Sequence, residues 1–234
     1  MKIKLANKEI FNMPDWEDCT WKRDVCGKDE CKICGKIKKQ RAAHIAAGRD
    51  PDVIESMMMD VEEDFKKTIG LIRKAAKREG IDLSDIKDND IDVLDSWPLA
   101  EEFPLAEKVK DWSDGVRKMF MIPVGEDDSW FEAEAAKDVL YYKSTFEVKV
   151  VRQLSCRLEL ERGDEYVDAD YLYTKYVLEY IIDKLKSGMS WIMKNVENKS
   201  AEAMVSLAKL QDLEKQVEKL NGFYDGQDVG LIKS

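Results

Sequence analysis

Four cysteines lie within sixteen residues near the N-terminus, with the spacing C-x6-C-x4-C-x2-C. They are Cys19, Cys26, Cys31 and Cys34. Thiolates that converge on one point are the ligands of tetrahedral zinc and of iron–sulfur clusters. A leading segment of about thirty-five residues with few aliphatic side chains buries too little apolar surface to fold without such a link. We therefore predict that all four sulfur atoms hold one metal centre.

The charge of the chain changes near residues 48–51. Residues 1–49 hold twelve Lys and Arg against seven Asp and Glu, a net charge of +5, whereas residues 50–234 hold twenty-six against forty-one, a net charge of −15. This step predicts two domains. The first, over 1–49, is a metal-binding head with a short helix over 36–47, and the second, over 50–234, is an acidic helical bundle.

A long amphipathic helix is predicted directly after this step. Asp50 is a suitable N-cap, Pro51 suits the first helical position, and Gly80 supplies a stop. Between them an apolar stripe recurs at three- and four-residue steps, as on one face of a helix. Its members are Ile54, Met58, Val61, Phe65, Ile69, Ile72 and Ala76.

Four further helices are predicted after an acidic segment over 81–103, which is interpreted as a solvated loop. They begin near Pro104, at a capping box formed by Ser129 and Glu132, after Gly163, and near Ser200. Long helices joined by short links usually lie antiparallel. The predicted fold class is all-α: an antiparallel up-and-down helical bundle with a small N-terminal four-cysteine metal-binding head.

The third and fourth cysteines of this group resemble part of known metal sites. Cys31, Cys34 and the following Gly35 resemble the knuckle of zinc ribbons and rubredoxins, in which two thiolates face one ion while the backbone turns beneath them. The resemblance implies that the glycine adopts a positive φ and lets N–H groups approach the sulfur atoms. Nearby basic side chains would offset the negative charge of the site. They are Lys22, Arg23, Lys28, Lys32 and Lys36.

Zinc and a [4Fe–4S] cluster are the two kinds of centre that this spacing allows. The loop is similar to the C-x6-C-x2-C-x5-C iron–sulfur loop of some DNA-repair glycosylases, although the spacing differs and the resemblance covers only the loop. The C-x2-C knuckle favours zinc. We predict structural zinc, with the [4Fe–4S] cluster as the alternative and four reduced cysteines without metal as a third possibility.

The remaining reactive side chains do not form a recognisable catalytic set. His44, the one histidine, is interpreted as a surface or interface residue and, alternatively, as a replacement ligand. One histidine is too few for a di-iron bundle, which needs two Glu-x-x-His motifs. Cys156 is predicted to be a buried, inert thiol. An EF-hand starting at Asp88 fails because Val93 and Leu99 replace its glycine and glutamate.

The overall charge and hydropathy bear on location and partners. A net charge of −10 argues against general attraction to nucleic acid or anionic lipid, and no stretch approaches the roughly 20 apolar residues that cross a bilayer. Cysteines without an export signal indicate a reducing compartment, so we expect a cytoplasmic protein.

The predicted function follows from the closed metal site. Four sulfur ligands leave no open position for substrate, which favours an interaction or regulatory protein over an enzyme. We expect a protein partner or self-association, and no small-molecule substrate is identifiable. The alternatives are an iron–sulfur redox protein or cluster-dependent enzyme, and nucleic-acid contact through the basic head.

Overall fold

The structure is a computed structural model that describes residues 2–4, 10–12, 17–81, 102–121, 128–163 and 167–222. Two compact units make up the chain: Trp16–Pro98 is one, and Met1–Asp15 with Leu99–Ser234 is the other. The predicted domain boundary near residue 50 lies inside the first unit, and a head over 1–49 that folds as its own domain stays a prediction. The EF-hand pattern and most of the predicted acidic loop lie outside the described residues.

The first unit contains the cysteines, one short 3-10 helix and two α-helices. These elements are Glu17–Thr20, α1 (Lys32–Ala46) and α2 (Ile54–Glu79). The prediction that α1 begins at residue 36 is wrong by four residues. The N–H of Gly35 donates to the carbonyl of Cys31 at 2.8 Å, which makes Cys31 the N-cap and places Cys34 in the first turn.

The helix α2 ends where the sequence predicts and begins later than predicted. Gly80 closes it in the left-handed conformation, with a φ of 71°. Its N-cap is Val53, however, and not Asp50. The Asp50 carboxylate accepts the N–H of Asp52 at 2.9 Å, which forms a turn ahead of the helix instead of a cap.

The described residues of the second unit form helices and one short hairpin. Strands β1 (Lys2–Lys4) and β2 (Ile10–Asn12) pair antiparallel. The helices are α3 (Pro104–Met119), α4 (Glu134–Glu161), α5 (Asp168–Asn195) and α6 (Ser200–Leu220). The prediction that α4 begins at Ser129 is wrong, because residues Ser129–Glu132 make a 3-10 turn and Ala133 is the N-cap of α4.

The four α-helices described in the second unit pack as an up-and-down bundle, whereas α2, which the predicted bundle also included, belongs to the first unit. Late in α5, Gly188 lies against Ala135 and Val139 at the start of α4, so these two helices run antiparallel. At the other end of α5, the hydroxyl of Tyr171 donates to the carbonyl of Leu220, the last residue of α6. The core between the helices is built from the predicted seams. Its fully buried members include Val109, Val116, Tyr142, Phe146, Ile181, Leu185 and Leu210.

The all-α fold class and the four-cysteine group near the N-terminus therefore agree with the sequence analysis. Among the helices of the described residues, none combines the length and apolar character needed to cross a bilayer.

Candidate metal centre

The four cysteines predicted as ligands converge in one place. Their sulfur atoms all lie within 4.8 Å of one another, and the Sγ atoms of Cys26 and Cys34 are 3.6 Å apart. No disulfide links them. Four thiols at this separation can hold a metal ion.

Three short stretches of chain bring these thiols together. Cys19 comes from the 3-10 helix Glu17–Thr20, Cys26 comes from the loop that follows, and the other two lie at the start of α1. Gly27 has a φ of 65°, which lets the chain reverse direction directly after Cys26. The site is thus assembled from local turns within one unit.

Gly35 matters for a reason that differs from the predicted one. The positive φ that the knuckle resemblance implied is not observed, because Gly35 is an ordinary helical residue of α1. A Cβ at this position would instead lie 2.1 Å from the carbonyl oxygen of Asp29. Glycine is therefore needed so that the loop bearing Cys26 can pack directly on the first turn of α1.

Backbone N–H groups stabilise thiolates at the site. The N–H of Cys26 donates to the sulfur atom of Cys19 at 3.4 Å. The N–H groups of Cys34 and Ile33, at the start of α1, lower the pKa of Cys31 to about 7. A helix N-terminus favours a thiolate in this position.

Burial opposes ionisation of Cys19 and Cys34 in the absence of a cation. Cys34 is 3% exposed, and this burial raises its pKa. The N–H of Cys26 lowers the pKa of Cys19, but burial and the neighbouring thiols together outweigh it and raise that pKa to about 12. A bound cation would reverse this balance, because a thiol that coordinates a metal ion loses its proton.

The basic residues around the site are mostly engaged by carboxylates. Of those predicted to offset the thiolate charge, Lys22 pairs with Asp18 at 2.7 Å, Arg23 pairs with Asp24 at 3.3 Å, and Lys36 pairs with Asp64 of α2. Their charge is therefore shared with these partners and is not available to the sulfur atoms alone.

One basic residue that the sequence analysis did not single out contacts the ligand loop. The Nζ atom of Lys38 donates to the carbonyl of Gly27 at 2.5 Å and to the carboxylate of Asp29 at 2.7 Å. The pKa of Asp29 is lowered by this hydrogen bond. The available signal was spacing: Lys38 follows Cys34 by four residues, which places both on one face of α1.

His44 belongs to α1, faces α2 and is separate from the four-cysteine group. It is 4% exposed, its Nε2 is 3.1 Å from the carboxylate of Asp60, and its Nδ1 accepts a hydrogen bond from Arg49 at 3.1 Å. Both ring nitrogens are therefore occupied. The ring is buried at the contact between two helices of one unit, so the expectation of a surface residue is wrong.

Cys156 is buried in the bundle unit, as predicted. It is fully inaccessible, and burial raises its pKa to about 12. A thiol in this state is a poor nucleophile and a poor ligand, because only the thiolate reacts or binds metal readily.

Comparison with known proteins adds no constraint to this geometry. No family model, curated protein or solved structure matches the chain.

Proposed function

We propose that this protein binds one structural zinc ion through Cys19, Cys26, Cys31 and Cys34, and that it acts as an interaction or regulatory protein in a reducing compartment such as the cytoplasm. The observation that carries the proposal is the close spacing of the four sulfur atoms. In a tetrahedral site with Zn–S bonds of about 2.3 Å, neighbouring sulfur atoms are about 3.8 Å apart. The 3.6 Å between Cys26 and Cys34 and the 4.8 Å limit for all pairs support a single ion.

The same spacing argues against the iron–sulfur alternative. The cysteines of a [4Fe–4S] cluster bind four different iron atoms at its corners, so their sulfur atoms are about 6 Å apart. Every pair in this site is closer than that, at no more than 4.8 Å. To admit a cluster, the loop with Cys26 would have to move away from α1. This loop packs closely on Gly35 of α1 and accepts a hydrogen bond from Lys38.

A structural role follows from the number of ligands. Four protein sulfur atoms complete a tetrahedral shell and leave no position for water or substrate. Zinc binding in such sites can contribute on the order of 10 kcal/mol to folding. The ion would therefore keep the loop and the start of α1 in place, so that this unit presents a defined surface to a partner.

Metal analysis of anaerobically purified full-length protein tests the proposal. We expect about one zinc per chain, no labile sulfide and a colourless sample. Cys31→Ser and Cys34→Ser should lose the metal, whereas Cys156→Ser, a matched change at the buried thiol of the bundle, should retain it. A brown sample with stoichiometric iron and sulfide would establish the cluster alternative, and a metal-free protein would refute both.

A further inference from the structure

Most of the apolar stripe of α2 is exposed to solvent, whereas Ala76 at its C-terminal end is buried and Ile69 is half-buried. The other large members are between 48% and 67% exposed, with Phe65 the most exposed of them. They are Ile54, Met58, Val61, Phe65 and Ile72. At 1.5 Å per residue, the stripe extends over about 27 Å of the helix. Contiguous exposed apolar surface of this kind marks an interaction site.

Two acidic side chains beside the apolar stripe of α2 contact α1. Asp60 contacts His44, and Asp64 pairs with Lys36. At 100° per residue, Asp60 points about 100° from Val61 and about 140° from Phe65, whereas Asp64 points about 60° from Val61 and about 100° from Phe65. Among the described residues, α1 thus engages two carboxylates at the side of the stripe, while most of the large apolar members of the stripe are exposed.

Charge is divided along α2 in a way that selects the partner. Five of its six acidic residues lie in the N-terminal half, over 55–64, and all six basic residues lie in the C-terminal half, over 66–78. The helix has no net charge, which disfavours an anionic membrane, since helices that bind such surfaces are typically basic. A second α2 in the opposite direction would place each acidic half against a basic half, whereas a parallel one would oppose like charges.

We propose that α2 is a self-association surface, on which two copies of this chain pack antiparallel about a two-fold axis. With the axis between Phe65 and Ile69, Val61 of one copy lies opposite Ile72 of the other, and both Phe65 side chains are near the centre. A two-fold interface of this type is self-complementary, as the charge division requires. On one flank of the stripe, Glu62 of each copy comes close to Arg73 of the other.

Sedimentation equilibrium of the full zinc-loaded chain tests this association. We expect a reversible dimer that Phe65→Glu weakens at least about thirty-fold, since a buried charge at a central contact removes a dominant part of the binding energy. Val148→Glu is the matched control, because Val148 is 64% exposed on α4 and lies outside α2. Far-UV circular dichroism and zinc content should not change in either variant. A wild-type monomer at all concentrations, or a Phe65→Glu dimer as tight as the wild type, would overturn the proposal.

Charge reversal tests the antiparallel direction. Glu62→Arg and Arg73→Glu should each weaken the dimer severalfold, and the double variant should recover most of the loss, because each copy then presents the reversed pair to the other. The effect should diminish at high salt. Strictly additive losses in the double variant would rule out the antiparallel arrangement.

Discussion

Replacement of Gly35 by alanine should weaken metal binding through one steric contact. The new Cβ would lie 2.1 Å from the carbonyl oxygen of Asp29, whereas ordinary van der Waals contact begins at 3.4 Å. The loop or α1 must therefore move by about 1.3 Å, far more than the ±0.2 Å within which metal–ligand distances are held. Lys38 restrains this movement through its hydrogen bonds to Gly27 and Asp29.

We expect Gly35→Ala to lower zinc affinity at least tenfold, which corresponds to about 1.4 kcal/mol. Competition with a chromophoric chelator at fixed pH measures this change directly. The measured loss would understate the steric strain, because alanine favours a helix interior by up to about 1 kcal/mol relative to glycine and partly offsets that strain.

Gly70→Ala is the matched control for this experiment. Gly70 lies inside α2, and a Cβ there would meet nothing within 4 Å. This variant should keep wild-type zinc affinity and stabilise the helix by up to about 1 kcal/mol. If Gly35→Ala bound zinc as tightly as Gly70→Ala does, the argument that the loop packs directly on the knuckle would be refuted.

Three further changes probe the rest of the structure. Because burial raises the pKa of Cys156 to about 12 in the folded protein, above pH 9 this thiol ionises in the unfolded chain but not in the folded one. The free energy of unfolding should therefore fall between about pH 9 and 12. Relative to Cys156→Ala, the wild type should lose up to about 1.4 kcal/mol per pH unit in urea unfolding, and parallel curves would contradict this. His44→Ala removes a buried ring and its hydrogen bonds to Asp60 and Arg49, each worth about 0.5–1.5 kcal/mol, and should cost about 1–3 kcal/mol in thermal unfolding without loss of zinc. An unchanged melting temperature would show that the contact is dispensable. Gly188→Ala places a Cβ 2.4 Å from Val139 Cγ2 and should destabilise the bundle by about 1–3 kcal/mol, again with zinc retained. An unchanged free energy of unfolding would contradict the close packing of α5 on α4 at this position.

The bundle and the convergence of the cysteines could be predicted because both depend on local regularities. The helical period of the buried seams marks α3 to α6 directly, and Gly80 ends α2 as its left-handed preference requires. Helix starts were less predictable. The Asp50 side chain forms a turn where a cap is predicted, and residues Ser129–Glu132 make a 3-10 turn ahead of α4. Side chains of the kind that cap helices also favour turns, and tertiary packing decides between the two outcomes.

The details of the site depend on contacts between segments that spacing alone does not reveal. Gly35 is read from sequence as a turn residue, whereas its role comes from the close approach of the Asp29 carbonyl. Lys38 acts on a loop nine to eleven residues earlier in the chain. Similarly, the apolar period of the sequence identifies the stripe of α2, but it does not reveal that most of the large side chains of this stripe stay exposed.

Zinc K-edge X-ray absorption on the anaerobically purified protein tests the central claim most directly, because it counts and identifies the ligand atoms. We predict four sulfur scatterers at about 2.3 Å from the zinc ion and no coordinating nitrogen or oxygen atom. A mixed shell with imidazole or water, or iron in place of zinc with iron–iron scattering, would contradict this prediction.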